Sequence, residues 1–206
     1  MIIYDGIKTD FMKDVRDNLI CNKIYEQYQK YFGHTTEPQM RAWQNSMQFM
    51  RNIVDDSEID DEVRICIEYN IPLTSKRVDF IIAGADNAGN ENIVIVELKQ
   101  WQKADVVADD MHYCVKTFVA NTDRIVCHPS YQAYSYSCFL KNYSQSLTDE
   151  SINLIPCAYL HNYQPEYRQT LSNPIYKEWF EVAPFFIKNE VAIFSDFVKK
   201  HITKKS

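Results

Sequence analysis

Residues 77–99 read Arg77-Val-Asp-Phe-Ile-Ile-Ala-Gly-Ala-Asp-Asn-Ala-Gly-Asn-Glu-Asn-Ile-Val-Ile-Val-Glu-Leu-Lys99. The two ends are apolar on both faces: Val78, Phe80, Ile81 and Ile82 on one side, Ile93, Val94, Ile95 and Val96 on the other. Strands of that kind lie inside a sheet covered on both sides. The middle, Asp86 to Asn90, is turn chemistry. The pattern predicts strands over 77–83 and 92–98 joined by a loop over 84–90. Two places break it, Asp79 near the start and Glu97-Leu98-Lys99 at the end. Glu97 and Lys99 are two apart on a strand and therefore share a face. The midpoint of 79 and 97 is residue 88, the centre of the loop. A symmetric antiparallel pairing thus sets Asp79 opposite Glu97, with Cβ atoms roughly 4.5–5.5 Å apart.

Working outward, residues 63–71 alternate as a further strand, and Pro72 to Lys76 form a turn. Upstream, Phe11, Val15, Leu19, Ile20, Ile24, Tyr28 and Tyr31 recur at helical spacing, predicting one amphipathic helix over 10–32 that stops at Gly33. Thr36 and Pro38 cap and open a second helix running to about Val54. The acidic run Asp55 to Glu62 reads as a solvated connector. Downstream, Val115–Val119 and Arg124–Cys127 predict a strand pair, and Ser130 the cap of a helix to about Lys141. Residues 153–160 read as a strand and 190–202 as a final helix. No internal repeat or Gly/Ser linker interrupts the chain. The expectation is one α/β domain over 1–206, a central mixed sheet with helices on both faces. Within it lie a helical N-terminal part over 1–60, a core over 61–165 and a helical C-terminal extension over 166–206.

The chain has 206 residues, 46% of them hydrophobic and 24% charged, with only 4 Gly, which excludes collagenous and disordered classes. No apolar run of about 18 residues is present, so no membrane partner is expected. The N-terminus meets acid and lysine too early for a secretory signal. Cys21, Cys66, Cys114, Cys127, Cys138 and Cys157 form no CxxC pair, and read as free thiols in a reducing, cytoplasmic compartment. A net charge of −6 argues against a general nucleic-acid coating protein. It leaves room for an enzyme that meets a phosphate backbone at one metal-loaded site.

Asp79 and Glu97, placed opposite each other and buried, repel unless one takes a proton or a cation sits between them. Hard oxygen ligands select Mg²⁺ or Mn²⁺. A lysine beside the metal can orient water or stabilise charge developing at phosphorus. That arrangement suits metal-assisted phosphodiester hydrolysis. A bare E-x-K tripeptide occurs about once by chance in a chain of this size, so the weight rests on the combination. Arg77 reads either as a scissile-phosphate ligand or as an ion-pair partner of Glu68. His128 reads either as a phosphate contact or as a turn hydrogen bond. Trp43 and Trp101 read as packing, and Lys199, Lys200, Lys204 and Lys205 as a fraying basic tail.

These residues resemble the PD-(D/E)XK nuclease superfamily, a restriction-endonuclease-like core of helix, three antiparallel strands, helix and strand. Asp79 matches the motif Asp, with Val78 in place of the namesake Pro, and Glu97 and Lys99 match the E-x-K. Gln132-Ala-Tyr-Ser-Tyr136 matches the Q-x-x-x-Y helix motif of the RecB-like branch, where the Gln supports the site and the Tyr contacts DNA. Arg41-Ala-Trp-Gln-Asn-Ser46, Glu68-Tyr-Asn-Ile-Pro72, Lys76-Arg-Val-Asp79, Val96-Glu-Leu-Lys-Gln-Trp101 and His128-Pro-Ser-Tyr-Gln132 together resemble the nuclease-like region that precedes Schlafen-group-3-type helicases. The resemblance implies a Mg²⁺- or Mn²⁺-dependent nuclease, on DNA more than RNA, with a helicase as possible partner. Asp79, Glu97 and the Leu98 carbonyl would hold the metal, Lys99 position the water, and Gln132 and Tyr136 line the site, with Arg77 and His128 as further nucleic-acid contacts. An acid is expected four residues before Trp43, but Gln39 stands there. Glu37 and Glu68 are the alternative acids. The rival readings are a catalytically weak binding or docking domain that works with a helicase, and an RNA endonuclease.

Overall fold

The computed structural model describes residues 1–72, 74–107, 111–119, 121–143 and 152–206. The protein is α/β, with a mixed six-stranded sheet, a separate three-stranded sheet and helices. The strands decided by the 77–99 stretch are β3 (Arg77–Ala85) and β4 (Glu91–Lys99), antiparallel as expected, β3 running two residues further into the loop than expected and β4 one residue further at each end. On β3 lies β2 (Arg64–Asn70), and on β2 lies β1 (Ile2–Ile7), both antiparallel. Beyond β4 come β8 (Asn153–Leu160) and β9 (Phe185–Ile187), both parallel, giving the order β1-β2-β3-β4-β8-β9. β1 and β9 were not expected. They make both edges of the sheet from the segments read as helical appendages, so the N- and C-terminal parts are built into the core sheet.

The helix expected over 10–32 is two: α1 (Lys8–Arg16) and α2 (Ile20–Phe32). Asn18, at φ 56°, breaks it, a left-handed conformation that Asn tolerates better than most residues. Leu19, which the helical pattern put in the core, is 43% exposed. The second helix forms as expected, α3 (Glu37–Asp56), with Thr36 Oγ1 accepting the Gln39 N–H and Pro38 in its first turn. α3 takes in Asp55 and Asp56, and Ile59 in the connector is buried.

Side chains from α1, α2 and α3 pack on one sheet face: Phe11, Val15, Ile24, Trp43 and Met47 meet Ile65, Ile67, Phe80, Val94 and Val96. The C-terminal helix α7 (Val191–His201) joins that face through Phe194 and Val198. On the opposite face, α4 (Pro129–Tyr143) lays Tyr136 and Leu140 on Cys66, Ile81 and Ile95. Helices therefore cover both faces. α4 begins before its expected cap: Ser130 lies inside it, and the His128 ring takes the Ser130 N–H at Nδ1 instead. The second sheet is β5 (Asp105–Val106), β6 (Cys114–Val119) and β7 (Thr122–Cys127). β6 and β7 are the expected hairpin, standing apart from the central sheet. Two short helices, α5 (Arg168–Leu171) and α6 (Lys177–Val182), lead to β9.

The basic tail does not fray. Ala85 donates its N–H to the Lys204 carbonyl at 2.8 Å and accepts the Thr203 N–H at 2.8 Å. Lys199 pairs with Glu58 at 2.6 Å and Lys205 with Glu62 at 3.1 Å. The backbone approach needs Gly84, because a Cβ there would lie 2.5 Å from the Lys204 carbonyl oxygen. All six cysteines are free. Among the described residues no helix is long and apolar enough to cross a membrane.

Candidate active site

The β2–β3 ladder pairs Ile67 with Phe80 and Tyr69 with Val78, so Glu68 faces Asp79. The β3–β4 ladder pairs Phe80 with Val96 as its last step, and the next step in that register sets Asp79 against Glu97, the pairing read from the sequence. Three carboxylates thus stand abreast on three neighbouring strands. Beyond Phe80 the Asp79 side chain enters the ladder: its Oδ2 accepts the Leu98 N–H at 2.8 Å.

Glu97 is only 2% exposed. Its Oε1 accepts Lys99 Nζ at 2.6 Å and Gln132 Nε2 at 2.7 Å. Its Oε2 is buried with no hydrogen-bond partner. Lys99 also donates to Gln132 Oε1 at 3.0 Å and lies 5.3 Å from the centre of the Trp101 ring. Gln132 reaches both because it sits one turn before Tyr136 on the sheet-facing side of α4, and its Nε2 donates to the Tyr136 hydroxyl at 2.7 Å.

Glu68 is buried at a left-handed φ of 55°, a conformation that costs on the order of 1 kcal/mol for a side-chain-bearing residue. Trp43 Nε1 donates to its Oε1 at 2.5 Å. Arg77 Nε lies 2.7 Å from its Oε2 as a charge contact without an aligned hydrogen bond. The Arg77 guanidinium also stands 5.5 Å from the Tyr28 ring centre. Of the two readings of Arg77, the structure contains the Glu68 pair.

The electrostatics follow from this crowding. Burial, then the charge of Asp79, pushes the Glu97 carboxyl up to about 8, against the pull of Lys99. Burial, then Asp79, pushes Glu68 up to about 7. Burial also raises Asp79, although Lys99 and the Leu98 N–H oppose it. Burial alone would depress Lys99; Glu97 and Asp79 outweigh it, and its pKa is raised. The lysine stays charged, and the acids stand in a place that resists further negative charge.

A cleft of about 500 Å³ opens here, lined by Gln39, Trp43, Glu68, Asp79, Leu98 and Lys99 among others. Gln39 therefore does stand at the site, without an acid's charge. Glu37 does not: its side chain is 82% exposed and pairs with Arg41 at 3.1 Å, one turn along α3. His128 is likewise removed from any nucleic-acid contact, being 0% exposed. Its Nδ1 accepts the Ser130 N–H, which leaves the proton on Nε2, donated to the Leu171 carbonyl at 3.0 Å. Burial lowers its pKa to about 4. Tyr136, expected at the nucleic acid, is 6% exposed and serves Gln132 from within the core.

Three contributors escaped the sequence reading. Trp43 was read as packing, yet it holds Glu68. Gln100, next to the E-x-K, donates to the Ala42 carbonyl at 3.0 Å and to Ser46 at 3.3 Å, tying the end of β4 to α3. Ser46 in turn meets His161, which is 0% exposed and held down to about 4 by burial. The helical position of Trp43 and Ser46 on one face of α3 was legible; their polar partners were not.

Among the described residues no group of three or more His, Cys, Asp and Glu side chains is arranged as a metal site. The donors that do converge are hard carboxylate oxygens, and Glu97 Oε2 lacks any partner. Mg²⁺ commonly takes one or two carboxylates and keeps several waters, so this set fits it without a third ligand. Comparison with known protein families, curated proteins and solved structures returns no match for this chain.

Proposed function

We propose that the protein is a Mg²⁺- or Mn²⁺-dependent nuclease with a PD-(D/E)XK core, hydrolysing phosphodiester bonds of DNA in preference to RNA. The observation that carries this reading is the buried, unpartnered Glu97 Oε2 beside Asp79 and the charged Lys99. The chain order supports the same reading: antiparallel β2, β3 and β4, then α4, then parallel β8. Asp79 and Glu97, with the Leu98 carbonyl, would hold the ion. When bound, it supplies a Lewis acid and a water of lowered pKa.

Lys99 brings a fixed positive charge to the cleft. It holds the attacking water and offsets charge that builds at phosphorus. Gln132 fixes both partners of the Glu97–Lys99 pair, so neither swings away in the free protein. Glu68, held by Trp43 and Arg77, is the additional acid in place of one on α3. A cytoplasmic location and a helicase partner belong to the same proposal.

The test is cleavage of labelled single-stranded DNA, duplex DNA and RNA with Mg²⁺ or Mn²⁺. Metal-dependent cutting that disappears in Lys99→Ala is the expected result. Undiminished cutting by a folded Lys99→Ala protein would sink the assignment. The net charge of −6, and Gln39 standing where an acid is expected, favour the second reading, a nucleic-acid-binding or docking domain that works with a helicase. That reading predicts no stoichiometric Mn²⁺ binding and intact substrates after long incubation.

A further inference from the structure

A second, larger groove of about 840 Å³ runs on from the candidate site. Gln100, Trp101 and Val119 line both clefts, so the two are continuous. Its far walls come from two different elements, the end of β6 and the segment around residues 164–167. Each presents an aromatic ring to solvent: Phe118 is 59% exposed and Tyr167 39% exposed. Two large rings lining one groove and left partly in water offer apolar surface of the kind that marks a ligand-binding groove. The groove is close to neutral, with Lys103 offset by Glu166. The exposed Gln102 lines the same groove and offers an amide.

We infer that this groove binds a single-stranded segment of the nucleic acid, stacking unpaired bases on Phe118 and Tyr167 and leading the backbone to Lys99. This rests on the nuclease reading of the candidate site and names its substrate form. A duplex hides its base faces, so exposed rings are useful only to bases out of the helix. A duplex would also need a broad basic surface, and the groove offers one lysine to a protein of net charge −6. Stacking, with an amide for base edges, is the chemistry left.

The test is anisotropy of labelled DNA and RNA oligonucleotides, single-stranded and duplex, binding the whole chain in EDTA, where no cutting occurs. Single strands should bind at least ten times more tightly than duplex of the same sequence. Phe118→Ala and Tyr167→Ala should each weaken single-strand binding about tenfold, the usual effect of losing one stacking platform. Phe118→Trp should restore it, and Ile193→Ala, remote on α7, should leave it unchanged. The logarithm of the binding constant should fall with log salt at a slope of about −1, the signature of one or two phosphate contacts. Equal or tighter duplex binding, no binding at all, or ring variants that bind like wild type would overturn the inference. Because no metal is present, the outcome is separate from turnover. Ring-dependent strand binding without cleavage under Mn²⁺ would retire the nuclease reading alone; duplex cleavage indifferent to both rings would retire this one alone.

Discussion

Asp14 and Glu97 are both buried acids that meet a lysine, Asp14 with Lys23 at 2.7 Å and Glu97 with Lys99 at 2.6 Å. Asp14, on α1, has every oxygen occupied: Lys23 reaches both, and the Tyr4 hydroxyl donates to Oδ2 at 2.9 Å. Glu97 has two donors on one oxygen and none on the other. Lys23 is half-exposed, whereas Lys99 is enclosed between Glu97, Gln132 and Trp101. A satisfied buried acid stabilises a fold, because its desolvation is offset by hydrogen bonds. A buried acid left short of partners and crowded by other acids costs stability, and such costs concentrate where chemistry is done. On the proposed function, the pair separates scaffold from site inside one molecule.

The largest effects should fall on turnover. Lys99→Ala or Glu97→Gln should lower metal-dependent cleavage by about 100-fold or more, the scale of losing one electrostatic donor from a transition-state site. Asp14→Asn should leave cleavage near wild type at temperatures where the variant is folded. A folded Asp14→Asn protein that cannot cut would erase the distinction. In stability the order reverses. Asp14→Ala strands the Tyr4 hydroxyl and removes the partner of Lys23, and should cost about 2 kcal/mol in urea unfolding. A loss under half of that would mean the Asp14 network is ornamental.

The sequence made one of these two acids visible and hid the other. Glu97 stands out because it interrupts Ile93-Val-Ile-Val96, a strand apolar on both faces, at a register that the symmetric loop fixes. Asp14 lies in a helix whose other face is polar, where one more acid carries no signal. The central strands, α3 with its cap, β8 and the final helix were legible for the same reason as Glu97: strong periodicity with turn residues at the ends. The strands β1 and β9 were not: β1 runs straight into α1 at Lys8 with no turn between them, and the three residues of β9 hold too few alternations to register. The split of α1 from α2 rests on one left-handed Asn, and the strained Glu68 on a backbone angle that no residue type announces. His128 and Tyr136 lie in matching motifs, yet motif membership says nothing of burial, and both are enclosed.

Buried histidines sharpen the contrast through pH. His128 is held at about 4 in the folded chain by burial, against about 6.5 when unfolded. Below pH 6.5 the unfolded chain takes up a proton that the folded chain refuses, so stability is complete above that pH and falls as pH drops towards 4. The loss should reach about 2 kcal/mol by pH 5 for this one group. Protonation would also remove the Nδ1 acceptor that caps α4. His128→Asn keeps a cap acceptor and cannot titrate, so the stability gap between wild type and variant should narrow by that amount between pH 7.5 and pH 5. A gap that is constant with pH would show that His128 accepts a proton in place. His161, held down for the same reason, gives an independent repeat.

The smallest effect is the most telling, because its sign opposes intuition. Replacing a buried, ion-paired acid normally destabilises a protein, and Asp14 should obey that rule. Glu97→Gln should instead raise metal-free stability, by about 1 kcal/mol, in the way that relieving a strained site often does. The amide oxygen can still accept Lys99 and Gln132, and the unpartnered oxygen is replaced by a donor among acids. The amide needs no proton to sit beside Asp79 and Glu68, whereas the Glu97 carboxyl, pushed up to about 8, must take one up on folding. Added Mn²⁺ should then reverse the ranking. On the proposed function, wild type should gain stability by binding the ion, while the variant, lacking one of the two carboxylates, should gain little. Thermal unfolding of both proteins with and without Mn²⁺ reads the crossing directly. Parallel curves, with Glu97→Gln below wild type in both conditions, would return Glu97 to the same class as Asp14, an acid that holds the fold together and nothing more.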